Sequence, residues 1–259
     1  MRVERMPVKI IFSVFIALVI SCKATVAAPL VYTIEEIKKS IVAVGTYMPK
    51  RSPKGVFLGT GFAIGDGRLI VTNAHVLPKN IDTKSIETVA VFFRQDKQVR
   101  MLKAKAVAID KEHDIAILKL TSGVLPAMEI NQSVVREGQN IAFTGFPIGM
   151  VLGLHPVTHR GIVSAISPVV LPVLNSRQLN AKLLKRLRAP YNVYQLDATA
   201  YPGNSGSPVY NVETGKIIGI VNKVFIKETK ETILSKPSGI TYAIPIRYLN
   251  DLLKQYNLK

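Results

Sequence analysis

Short apolar runs, separated by clusters of Gly, Pro, Asn and charged residues, fill most of the chain after residue 40. Ile41–Tyr47, Leu58–Ile64, Arg68–Thr72, Val89–Phe93, Ala104–Ile109 and Ile115–Leu120 each read as a β-strand. Gly65-Asp66-Gly67 reads as a turn between the second and third of these. A second set comprises Asn140–Thr144, Gly161–Ile166, Val193–Asp197, Ser207–Tyr210, Lys216–Val224 and Ile240–Ile244. Two groups of short strands with turn signals predict two antiparallel β-barrels in an all-β fold. Little helix is expected. Glu35–Lys39 starts one before the first strand, and Arg247–Tyr256 sets Tyr248, Leu249, Leu252 and Leu253 on one apolar stripe.

The amino terminus has a different pattern. Arg2, Arg5 and Lys9 precede the apolar run Ile10–Ile20, and small residues follow at Ala24, Ala27 and Ala28. This is the layout of an export signal, and the run is too short for an ordinary membrane span. Two processing routes compete. Cleavage after Ala27 makes residues 1–27 a signal peptide. Alternatively, Val19-Ile20-Ser21-Cys22 is similar to a lipobox, which makes residues 1–21 a lipoprotein signal and Cys22 a lipid anchor. Either route predicts an exported protein, periplasmic or extracellular. The remainder divides into a first barrel, residues 28–125, and a second barrel with the terminal helix, residues 126–259.

A hydrophobic content of 48% with 20% charged residues describes a globular chain, not a disordered one. With a single cysteine there is no internal disulfide, so apolar cores must hold the fold. The formal charge of +17 favours encounters with acidic polymers, membranes or substrates. Its sharpest local expression is Arg177–Arg188, where Arg177, Lys182, Lys185, Arg186 and Arg188 interleave with leucines. Two readings stand: an ordinary surface helix, or a basic amphipathic helix touching an anionic membrane or acidic partner. Export and the lack of any nucleic-acid motif argue against nucleic-acid binding by charge alone.

Three separated motifs carry candidate chemistry: Thr72-Asn73-Ala74-His75-Val76, His113-Asp114-Ile115-Ala116 and Pro202-Gly203-Asn204-Ser205-Gly206-Ser207-Pro208. A serine hydroxyl needs a base to remove its proton as it attacks, and His75 can serve Ser205 in that role. Asp114 can hold the imidazole tautomer and stabilise the imidazolium. A tight turn at Gly203 can aim the N–H groups of Gly203 and Ser205 at one point, as an oxyanion hole. The order His, Asp, Ser differs from that of α/β-hydrolases and of subtilisin-type enzymes. This chemistry needs no cofactor. His155 and His159 have helical spacing, but Pro156 and the lack of a third ligand argue against a metal site, so they read as a surface loop.

These residues resemble the trypsin-like serine proteases, and most closely the HtrA/Deg branch, over roughly Val31 to Tyr256. Gly59-Thr60-Gly61-Phe62-Ala63-Ile64 with Leu69 to His75 is similar to that family's hairpin leading into the histidine. Glu137 to Asn140, Gly145-Phe146-Pro147, Gly161-Ile162-Val163-Ser164, Leu196-Asp197-Ala198, Pro202 to Pro208, Ile217 to Ile220 and Tyr242 to Pro245 follow in order. The resemblance implies two six-stranded, chymotrypsin-like barrels. The cleft then lies between them, with His75 and Asp114 from the first and Ser205 from the second. It implies polypeptide substrates and an acyl-enzyme intermediate. Many family members form homotrimers through their amino-terminal segment, although no residue here demands it.

The departures are informative. Ser207 stands where most members have glycine, and Asn204 where vertebrate zymogens have an aspartate that pairs with a new amino terminus. An amide cannot make that charge pair. The HtrA proteases usually continue into a PDZ domain, which is not expected here, where the sequence ends at Lys259, just after the terminal helix Arg247–Tyr256. The specificity pocket is expected to be floored near Thr199 and walled by Ile220, Val221 and Asn222. None of these is a carboxylate, so small or medium aliphatic side chains are expected before the cut. Asp110 is a weaker candidate than Asp114, His113 reads as a neighbour without a catalytic role, and Asp197 as structural. The alternative function is a catalytically silent binder or chaperone that keeps a protease fold.

Overall fold

In a computed structural model of the chain, the described residues are 30–96, 98–148, 153–169, 190–222 and 240–258. The leader, Cys22 and the basic segment Arg177–Arg188 lie outside them, as does the end of the strand expected at Lys216–Val224.

Six strands form the first closed antiparallel barrel: β1 (Ile41–Tyr47), β2 (Gly55–Ile64), β3 (Leu69–Thr72), β4 (Thr88–Gln95), β5 (Gln98–Asp110) and β6 (Ile115–Leu120). Their order around it is β1-β2-β3-β6-β5-β4. The second barrel comprises β7 (Asn140–Gly145), β8 (Val157–Pro168), β9 (Asn192–Asp197), β10 (Pro208–Asn211), β11 (Ile217–Asn222) and β12 (Ile240–Pro245). It closes in the order β10-β11-β12-β9-β8-β7. The fold is thus the two-barrel all-β architecture that the strand pattern predicts.

Strands such as β1 and β11 form because β-branched and aliphatic residues occupy both faces, and both are almost wholly buried. β5 and β8 run longer than their apolar stretches. Arg94 pairs with Val99 and Gln95 with Gln98, so the β4–β5 ladder continues past the residues that bury. The same holds at Thr158, His159 and Arg160 of β8, which pair with β7 although hydrophobic alternation is lost there. His159 therefore belongs to a strand and not to the surface loop expected. Backbone pairing carries a strand further than side-chain pattern reveals.

One apolar cluster is drawn from the first barrel, including Val42, Val44, Ile70, Val91 and Leu118, and one from the second, including Ile141, Phe143, Val163 and Val221. A third joins the two, with Ile41, Phe62 and Ile117 alongside Tyr210, Ile217 and Leu249. The segment between the barrels is itself bridged to each, through Ile64 with Met128 and Ile130 with Ile217.

Two helices flank the barrels. The first, α1 (Leu30–Lys38), buries Ile37 against the shared cluster. The second, α2 (Ile246–Gln255), buries Ile246, Leu249 and Leu252 there and packs on β11, β12 and β5. The carboxy-terminal helix therefore touches both barrels. No helix among the described residues is long and apolar enough to cross a membrane.

Candidate active site

β3 is buried throughout and delivers the chain to Asn73, after which a single 3₁₀ turn, Ala74–Val76, lifts His75 to the barrel rim. Asp114 ends the turn between β5 and β6 with a left-handed backbone, φ 58°. A non-glycine residue there costs about 1–2 kcal/mol, so something must hold it. Its carbonyl accepts the Asn73 side-chain amide at 3.0 Å and the Ala74 N–H at 3.1 Å. Its carboxylate takes the His75 backbone N–H on Oδ1 at 2.9 Å, while Oδ2 lies 2.6 Å from His75 Nδ1. An ionised carboxylate only accepts, so this contact places the proton on Nδ1 and leaves Nε2 with its lone pair. Asn222 Nδ2, from β11, donates to the same Oδ2 at 2.9 Å.

Ser205 sits in the turn before β10 and is 7% exposed. Gly203 has φ 101°, and a Cβ there would lie 2.3 Å from the Phe146 carbonyl oxygen, so the turn requires glycine. Thr60 ties this turn to the first barrel. Its N–H donates to Ser205 O at 2.8 Å, its hydroxyl donates to Gly203 O at 2.7 Å, and that hydroxyl accepts Phe146 N–H at 3.0 Å. The N–H groups of Asn204, Gly206 and Ser207 donate to Tyr201, Val221 and Asn204 carbonyls. Those of Gly203 and Ser205 donate to no described acceptor, and are the two expected to face an oxyanion.

The serine turn and the histidine segment meet across β2. A Cβ at Gly59 would touch Val76 Cγ2 at 2.7 Å on one side and Ser205 O at 3.0 Å on the other. A Cβ at Gly206 would come 3.2 Å from Asn73 N. No hydrogen bond joins Ser205 Oγ to His75; the imidazole's bond is to Asp114.

The residues expected to shape a specificity pocket have mixed positions. Thr199 is half-buried in the segment after β9, which is braced by Thr241 of β12, whose hydroxyl accepts Ala200 N–H and donates to Ala198 O. Ile220 and Val221 are wholly buried in the apolar clusters, and their backbones pair with β10, β12 and the serine turn, so neither side chain forms a pocket wall. Asn222 is buried, with its amide on Asp114. A fully buried asparagine needs partners, and Asp114 supplies one; no local signal in the sequence marks this role.

Of the remaining polar residues, Asp197 is exposed and its carbonyl packs on Gly161. His155 is exposed. His159 is half-buried, stacked on Phe143 at 4.8 Å and tilted against Tyr201 at 5.9 Å, and burial lowers its pKa below the ordinary histidine value. Among the described residues no cluster of His, Cys, Asp and Glu could hold a metal ion.

Two closed six-stranded barrels, with a His–Asp pair on one and a serine turn on the other, define the class of two-barrel serine peptidases. The sequence profile of the trypsin-like peptidase domain matches residues 59–220, and the chain belongs to that family. It is similar to a probable periplasmic serine endoprotease, DegP-like, of Halomonas elongata: 31% identical over 199 residues, 76% of this chain and 35% of the relative. A putative serine protease HhoB of a Synechocystis species is 30% identical over 203 residues, 77% of this chain and 40% of that protein. The chain thus spans little more than a third of the length of these relatives. The crystal structure of a serine endoprotease from Yersinia pestis superposes with a TM-score of 0.60 at 24% identity, covering 88% of this chain and 66% of that one, which supports the fold.

Proposed function

We propose that this chain is an exported serine endopeptidase of the HtrA/Deg kind that cleaves polypeptides through an acyl-enzyme. His75 Nε2 takes the Ser205 proton as Oγ attacks the scissile carbonyl, and the imidazolium then protonates the leaving amine. Asp114 keeps the ring oriented and balances its charge. The N–H groups of Gly203 and Ser205 receive the oxyanion, each such donor contributing about 2.7–4 kcal/mol to the transition state. Water, activated by the same histidine, then releases the acyl group.

The observation that carries this reading is the 2.6 Å contact between His75 Nδ1 and Asp114 Oδ2, with Nε2 left to act as base beside the serine turn. No carboxylate stands among Thr199, Ile220, Val221 and Asn222, which favours uncharged side chains before the cut. The names of the relatives and the leader together favour the periplasm. Labelling by a fluorophosphonate tests the reading. Wild type should react and Ser205→Ala should not. Absence of labelling and of cleavage in folded wild-type protein would instead support the silent binder or chaperone.

A further inference from the structure

The turn that presents Asp114 holds a second aspartate–histidine pair. Asp110 Oδ2 lies 2.6 Å from His113 Nδ1, and Asp110 Oδ1 accepts the N–H groups of Glu112 and His113 at 2.8 and 3.0 Å. Burial works against the Asp110 charge, but its bonds from His113 outweigh it and hold the carboxyl below its usual range.

The second half of the molecule covers the same imidazole. Its ring stacks on Tyr248 of α2, with centroids 4.0 Å apart and planes 15° from parallel. Tyr191, just before β9, meets it edge-on at 4.7 Å and packs against Tyr248 at 5.5 Å. Arg247 lies over the Tyr248 ring at 4.7 Å and donates to its hydroxyl at 2.7 Å. His113 is therefore gripped by a carboxylate at the end of β5 and by aromatic rings of α2 and of the segment leading into β9.

Its place in the chain makes this grip consequential. The next residue is Asp114, in a backbone conformation that persists only where its surroundings over-determine it. Bonds to Asn73, Ala74 and His75 hold Asp114 from the histidine side. His113 is the side chain immediately before it. We propose that the Asp110–His113–Tyr248 stack is an inter-barrel clamp that sets the backbone of Asp114, which makes His113 and Tyr248 positioning residues for the reaction. The clamp couples the docking of the terminal helix to the alignment of the His75–Asp114 pair.

The inference rests on the endopeptidase reading, so the Ser205→Ala labelling control comes first. A second readout does not depend on turnover: the downfield proton resonance of the short His75 Nδ1···Asp114 Oδ2 bond. Tyr248→Leu and His113→Ala should each lower kcat on an unfolded protein substrate about tenfold to a hundredfold, with KM within about twofold, because small misplacements of a catalytic group carry that penalty. Both should displace the resonance. Tyr248→Phe keeps the ring and should keep wild-type kcat. The double variant should lose little beyond the worse single one, as partners in one contact do.

Folded Tyr248→Leu and His113→Ala with wild-type kcat and an undisplaced resonance, or with lowered thermal stability alone, would overturn the clamp. If either fails to fold, Tyr191→Leu removes only the edge contact and should displace the resonance with a smaller loss of kcat; no change in either would count against the proposal. A wild type that neither labels nor cleaves, yet shows a resonance that Tyr248→Leu displaces, would sink the protease reading and leave the clamp standing.

Discussion

Asn222 Nδ2, on a strand of the second barrel, donates to Asp114 Oδ2, on a turn of the first, at 2.9 Å. The proposed base is thus oriented by a carboxylate that both barrels hold. A hydrogen bond to a charged group contributes about 1.5–3 kcal/mol. Expressed in the transition state, that range corresponds to roughly ten- to hundredfold in rate. Asn222→Ala should lower kcat/KM by about that factor while the protein stays folded. Asn222→Asp should cost more at neutral pH, because two carboxylates would then share one site. Wild-type kcat/KM in Asn222→Ala would show that the bond does not serve the reaction.

Gly203→Ala probes the serine turn. The backbone there has φ 101°, and the new Cβ would meet the Phe146 carbonyl oxygen at 2.3 Å. The turn must open, at a cost in stability of about 1–3 kcal/mol. If the Gly203 N–H receives the oxyanion as proposed, the greater effect should fall on the reaction, since that N–H would be turned away. A loss of at least about a hundredfold in kcat is expected, with KM little changed. Kinetics on a peptide substrate beside a denaturant curve would separate the two effects. A variant that loses stability but not kcat would remove Gly203 from the oxyanion hole.

The fold is legible in the sequence because a barrel of short strands writes its pattern locally. β1 and β6 coincide with their apolar runs, Ile41–Tyr47 and Ile115–Leu120. The outer ends of β5 and β8 do not, since Arg100 and Arg160 are exposed and carry no burial signal although their backbones pair. The motifs around His75, Asp114 and Ser205 are legible because each is short and lies at a strand end. The contacts that bridge distant parts of the chain are not. Thr60 reaches Gly203 across 143 residues and Asn222 reaches Asp114 across 108, and nothing local at either partner announces the other. Ile220 and Val221 illustrate the same limit, since a strand buried on both faces does not reveal which residues meet a cleft.

His159 gives the protein an acid-sensitive point apart from the reaction. Desolvation lowers its pKa in the folded state, whereas an unfolded chain would hold it near the ordinary value of about 6.5. Between those two values the unfolded state binds more protons than the folded one. The contribution of the neutral ring to stability is complete above the unfolded value and is lost as pH falls through the folded one. Denaturant unfolding at pH 8 and pH 5 should therefore show a loss of stability on acidification. His159→Phe, which keeps a ring against Phe143 and Tyr201, should reduce that loss. An unchanged difference between the two pH values in His159→Phe would place the acid sensitivity elsewhere.

Ser207 offers the last test, because its buried side chain packs close to Gly145. A Cβ on Gly145 would lie 2.0 Å from Ser207 Oγ, and 2.9 Å from both Asn204 Oδ1 and Thr60 Oγ1. Three buried polar side chains thus converge on one glycine directly beneath the serine turn. Gly145→Ala should push against all three and destabilise the fold by about 1–3 kcal/mol, as overpacking does. Activity should fall as well, because Thr60 anchors the carbonyls of Gly203 and Ser205. Adding Ser207→Gly removes the closest clash and leaves two contacts of 2.9 Å, on Asn204 Oδ1 and Thr60 Oγ1, which still require some movement. Gly145→Ala/Ser207→Gly should therefore regain part of both stability and kcat relative to Gly145→Ala alone, measured by thermal unfolding and peptide hydrolysis. If the double variant is no better than the single one, Ser207 does not set the packing under the nucleophile.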